Sequence, residues 1–153
     1  MLLLLFKIAE TRYGIDAREV LEVRSDTALR PLPGSPRGVI GLLMLRGDPV
    51  PVIDVSLLIS DSPARNRRST RILIVATDHK TLVGLRVEGA IDAVRVDDSK
   101  FAEVGLAVPG APCLGPVASL DDGLVQKVIP SSLFSPDIRS SIDLARVTAG
   151  GGS

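Results

Sequence analysis

Gly41-Leu42-Leu43-Met44-Leu45-Arg46-Gly47-Asp48-Pro49-Val50-Pro51-Val52-Ile53-Asp54 is a pair of apolar runs that meet at an Arg-Gly-Asp break. In the second arm Val50, Val52 and the Asp54 side chain fall on one face, and Pro51, Ile53 and Val55 on the other, which is the period of a strand. The segment predicts a β-hairpin turning at Arg46, Gly47 and Asp48. Pro49 and Pro51 have no N–H to give a ladder, so this arm is expected at a sheet edge or on a bulge. Edges are where partners dock. Arg46 stands in an apolar run, where a lone buried guanidinium costs on the order of several kcal/mol. It therefore snorkels from the turn to solvent, braces a carboxylate such as Asp54 or Glu22, or reaches a partner.

Outward from the hairpin, strand-like runs recur at short spacing: 2–8, 12–15, 20–24, 39–45 and 50–55, then 71–76, 81–87, 90–96, 116–120 and 124–129. Many short strands separated by Gly, Pro and Asp predict a mainly β fold, a barrel or sandwich. The triplets 78–80 and 121–123 read as hairpin turns. Three helical pieces are expected: a turn over 17–21 capped by Asp16, a turn at Leu57 and Leu58, and a helix from Ser135-Pro136-Asp137 to about Val147. In that last helix Ile138, Ile142 and Ala145 share a narrow apolar face. Residues 60–70 have no apolar period and read as a loop. Residues 149–153, Ala-Gly-Gly-Gly-Ser, read as a flexible tail.

A chain of 153 residues with 45% apolar composition can bury a sizeable core. Eighteen basic and eighteen acidic residues leave no global field to draw it onto nucleic acid or an anionic membrane. Arg65, Arg67, Arg68 and Arg71 form one basic cluster, read as a solvated loop. The four aromatics, Phe6, Tyr13, Phe101 and Phe134, are too scattered for base stacking. The lone Cys113 excludes an intrachain disulfide and reads as a buried, inert thiol suited to the cytoplasm. The opening apolar run is short and lacks the flanks of a signal peptide, and no segment reaches the ~20 apolar residues of a membrane helix. His79, the sole histidine, has no second ligand for zinc and no nucleophile beside it. Phosphate-cradling glycine motifs are absent. The residues assemble no catalytic set, no cofactor site and no metal site, which points to a binding module rather than an enzyme.

Tyr13-Gly-Ile-Asp16, then Val20, Glu22-Val23-Arg24, the prolines Pro31, Pro33 and Pro36, Gly41, Leu45-Arg46-Gly47 and Pro51-Val52-Ile53-Asp54 resemble, in order and spacing, the CheW-like domain of bacterial chemosensory adaptors. A second block, Ile72-Leu-Ile-Val75 with Val83-Gly-Leu-Arg-Val-Glu-Gly-Ala90, resembles that family's second signature. The resemblance implies two intertwined five-stranded β-barrels of SH3-like type with a few short helices, one unit of two lobes over residues 1–148. It implies a non-catalytic adaptor joining the cytoplasmic tip of a methyl-accepting chemoreceptor to the regulatory domain of a CheA-type histidine kinase. The partner-contact residues it implies are Val20, Glu22, Arg24, Gly41, Arg46, Ala90 and Ala93. Val20, Ala90 and Ala93 would cover partner surface at strand edges, and Glu22 and Arg24 would set orientation by charge. Arg86 and Gln126-Lys127 depart from the family's apolar pattern, and a surface Arg86 would imply altered partner choice, as in a specialised pathway. From another class, a small-ligand or nucleic-acid-binding β-barrel without a kinase partner is the alternative.

Overall fold

The computed structural model describes residues 1–77, 80–102, 114–134, 136 and 138–140. Among them are ten strands: β1 Leu2–Ile8, β2 Thr11–Asp16, β3 Glu22–Ser25, β4 Val39–Leu45, β5 Asp48–Asp54, β6 Arg71–Ala76, β7 Leu82–Arg95, β8 Phe101–Ala102, β9 Leu114–Leu120 and β10 Gly123–Val128. One short helix, α1 Val55–Ser60, and three 3-10 turns accompany them. The mainly β fold with few helices is as expected, although the strands form one open sheet.

That sheet has two halves that share β7. Residues 82–87 of β7 pair with β6, and residues 84–86 also pair with β5. Residues 88–95 pair with β1, which continues to β2, β10, β9 and β8. A single 14-residue strand thus replaces the two strands expected at 81–87 and 90–96. The register shift opposite Leu5 and Lys7 absorbs the bend as an irregularity within the ladder, not as a turn.

Alternation along the central strands feeds two cores at once. On β6, Ile72 and Ile74 join Leu43, Leu45, Val50 and Val52 inside the first half. Leu73 and Val75 face the other way, with Ile53, Val83 and Leu85, onto Phe6, Ile15 and Val128 of the second half. A period of two with apolar residues on both faces is what a strand buried on both sides requires. Each fully buried Leu or Ile contributes about 1.5–3 kcal/mol. A third, smaller core of Leu3, Val96, Ala118 and Val125 fills the second half.

The hairpin forms as read, with Leu45 opposite Asp48. Its second arm corrects the edge expectation in part. Val52 and Ile53 of β5 lie between β4 and β7, while Pro49 and Pro51 sit in the stretch that pairs with β4 alone. The missing proline N–H groups therefore face a side on which no strand has yet begun.

Asp16 accepts from the Arg18 N–H at 3.0 Å and caps a 3-10 turn at Ala17–Glu19. Asp54, expected to lie along the strand face, instead caps α1 by accepting from the Leu57 N–H at 3.1 Å. The β9–β10 hairpin turns at 121–122. Of the predicted C-terminal helix, Pro136 and 138–140 are helical with Ile138 buried. Its remainder, His79, Cys113 and the tail at 149–153 lie outside the described residues.

Candidate functional site

The hairpin tip and strand β3 meet through charge. Arg46 and Gly47 both have positive φ, 50° and 85°, the two-residue turn whose twist matches that of the flanking strands. From this position Arg46 Nη2 donates to Glu22 Oε2 at 2.8 Å. Arg24 Nη1 donates to Glu22 Oε1 at 2.9 Å. Each oxygen of one carboxylate thus takes one guanidinium, and Arg24, then Arg46, hold the Glu22 carboxyl below its ordinary range. Of the two carboxylates expected to brace Arg46, Glu22 is the one that does. The Arg46 side chain remains 70% exposed, so the pair fixes its position without hiding it.

Strand β3 pairs only with β6, and its other side is free of strands among the described residues. Leu21 and Val23, 61% and 48% exposed, flank Glu22. Met44, 50% exposed, stands two residues before Arg46 on the hairpin. These three exposed apolar residues were not singled out in the sequence. Their signal was the alternation of Leu21 and Val23 with Glu22 and Arg24, an edge strand apolar on one face and charged on the other.

The structure brings together Glu22, Arg24 and Arg46 but not the other candidates. Gly41 is buried in β4, where an added Cβ would lie 2.8 Å from the Arg30 carbonyl oxygen and 2.9 Å from Leu29 Cβ. The glycine admits the Arg30–Leu42 bridge, whose two backbone hydrogen bonds measure 2.9 and 2.8 Å. A bulky residue here would act first on packing, whatever part Gly41 has in docking. Val20 closes the 3-10 turn and packs against the main core, half-buried and outside β3. Ala90 is a core residue inside β7, not an edge residue. Ala93 is exposed on the part of β7 that faces Leu4, in the second half of the sheet.

Arg86 is also corrected, because it lies inside the molecule. Its Nε and Nη2 donate to the two oxygens of Asp26 at 3.0 Å each. Its Nη1 donates to the Ala64 carbonyl at 2.6 Å and lies 3.4 Å from Asp54 Oδ2. Asp54 in turn accepts from the Ala64 N–H. The network ties the chain after β3, the end of β5 and the 61–70 loop together, which explains how an arginine is tolerated opposite Ile72. Asp26 was missed.

Residues 2–136 match the model of the CheW-like domain. The chain belongs to the CheW-like family. Among its relatives, a probable chemotaxis protein CheW of Rhizobium etli is 30% identical over 96 residues, 63% of this chain and 61% of that protein. Protein FrzA of Myxococcus xanthus is 32% identical over 88 residues, 53% of this chain and 55% of that protein. The match to curated CheW relatives thus spans about three-fifths of their length, 61% for R. etli and R. meliloti alike. The scaffolding protein CheW of Thermoanaerobacter tengcongensis superposes with a TM-score of 0.81 over 90% of this chain and 89% of that one. At 24% identity it shows a shared CheW fold.

Proposed function

We propose that this CheW-like chain is a non-catalytic chemosensory adaptor of the cytoplasm, holding the regulatory domain of a CheA-type histidine kinase against the cytoplasmic tip of a chemoreceptor. The observation that carries the reading is the exposed Arg46, pinned by Glu22 beside the open edge of β3. An arginine presented in a fixed pose loses little conformational freedom on binding and selects a partner by charge. Leu21, Val23 and Met44 supply apolar area around it. In this reading the first half of the sheet packs on the related domain of the kinase, and the helical receptor tip lies between the halves. Individually weak contacts suffice when assembly in an array supplies avidity.

Calorimetric titration against the kinase regulatory domain and the receptor tip of the same genome tests this. Saturable binding that disappears in a normally melting Arg46→Ala variant is the expected result. Absence of heat with every such kinase domain and receptor tip would refute it.

A further inference from the structure

The basic loop is held at a place unrelated to the docking edge. Arg65 Nε donates to Glu88 Oε1 at 2.9 Å, and Arg67 Nε lies 3.6 Å from the same oxygen. The Glu88 side chain is only 6% exposed, whereas those of Arg65 and Arg67 are about half exposed. Fixing a guanidinium through Nε orients it and leaves its Nη donors unused; among the described residues neither arginine gives them to another protein group. Both arginines, with Ser69 and with Lys7 of β1, line a half-open cavity of about 330 Å³. The Lys7 side chain also has no hydrogen-bond or ion-pair partner among the described residues.

Lys7, Arg65 and Arg67 bring three positive charges to the cavity and Glu10, Glu88 and Asp92 three negative ones, so its lining is neutral overall and any ligand must be held by the directed guanidinium donors. Glu10 and Asp92 line the same cavity and limit what it tolerates. A polyphosphate would meet their repulsion, while a single planar carboxylate matches the guanidinium fork and brings only one charge to it.

We propose that this cavity is a carboxylate-binding site, with Arg65 and Arg67 as its fork, Lys7 as its second cation and Glu88 as the buried group that orients the arginines. The carboxylate comes from a small organic acid or from an acidic side chain of a partner. The proposal does not rest on the adaptor reading, since Arg46 takes no part in it.

Backbone-amide NMR titration of the full chain with sodium acetate at constant ionic strength tests the site, with sodium phosphate and a blocked glutamyl peptide as parallel probes. Acetate is expected to give saturable shifts confined to residues 65–69 and 88–92 and to Lys7. Arg67→Gln should weaken binding at least tenfold and Lys7→Gln several-fold, while Arg68→Gln and Arg46→Ala leave it unchanged, all with wild-type melting. Acetate binding as tight as the peptide assigns the site to small acids; a peptide preference of tenfold or more assigns it to an acidic partner residue. Shifts that fail to saturate, that persist in both Arg67→Gln and Lys7→Gln, or that phosphate reproduces more tightly would overturn the proposal.

Discussion

Arg86 and Arg46 each hold a carboxylate at about 3 Å in the same half of the sheet, yet they do opposite things. Arg86 is 13% exposed, and its partners Asp26 and Asp54 are no more than 15% exposed. Arg46 stands 70% in solvent. In a buried network every charge is desolvated, so removal of one member strands the others; in an exposed pair water replaces whatever is lost. The first arrangement fixes the fold, and the second fixes only the pose of a side chain. Arg86→Ala tests this difference most severely. It leaves the half-buried Asp26 and the Ala64 carbonyl without their Arg86 donors and takes the cation from beside the buried Asp54, which keeps its backbone donors, and should cost about 3–5 kcal/mol in urea unfolding, a large share of a marginal total of roughly 5–15 kcal/mol. Arg86→Lys should fall between, since an ammonium cannot reproduce the two-pronged contact with Asp26. An Arg86→Ala variant as stable as Arg46→Ala would dissolve the contrast.

Gly41 lies on the structural side of the same division. Its neighbour Leu42 exchanges both backbone hydrogen bonds with Arg30, and a methyl group at Gly41 would have to displace the Arg30 carbonyl. Gly41→Ala should cost about 1–3 kcal/mol through overpacking and strain, read as a lowered urea midpoint with unchanged slope. Any loss of partner binding should then recover at temperatures where the variant is fully folded. Binding lost with wild-type stability would return Gly41 to the docking surface.

These outcomes bear on what could be read from the chain. Alternation over 39–55 made the hairpin legible because local period decides which face is buried, and Val50 and Val52 do part from Ile53 and Val55 into separate cores. The Arg46–Glu22 contact was legible as one option among several, since Glu22 was one of two carboxylates expected to brace the arginine, and solvent or a partner were the others. Arg86 was not, because Asp26 and Asp54 are 60 and 32 positions away in sequence and only the pairing of β5, β6 and β7 brings them near. The continuity of β7 was hidden for a similar reason: a glycine between two apolar runs reads as a turn until the partner strand β1 shows the ladder continuing. Ala90 was misplaced as a consequence, since the end of a short strand became the interior of a long one.

Arg46→Ala turns the comparison to its functional side. The melting temperature should stay within the scatter of ordinary surface substitutions, because an exposed pair contributes little to stability. Affinity for the kinase regulatory domain should fall at least tenfold in calorimetry, since anchor arginines at interface centres carry binding energy well beyond their share of area. Glu22→Gln should keep the fold but free the Arg46 side chain, giving a smaller loss of affinity that comes from lost orientation rather than lost contact. Equal affinities for Arg46→Ala and the wild type would leave the tip as a turn and nothing more.

The smallest effect is electrostatic and concerns Glu22 alone. Its carboxyl is held below the ordinary glutamate range by Arg24 first and Arg46 second. A carboxylate whose pKa is lower in the folded state stabilises the fold above its unfolded pKa, and that contribution is lost as pH falls through the folded value. The Glu22 contacts should therefore persist unchanged through neutral pH and loosen only on acidification below the usual glutamate range. Carboxyl-carbon NMR titration of Glu22 should show its midpoint rising toward the ordinary value in Arg24→Ala and rising less in Arg46→Ala. If Arg46→Ala produced the larger rise, the hairpin tip would be the dominant partner of Glu22, and Arg46 would be less available to a binding surface than its exposure indicates.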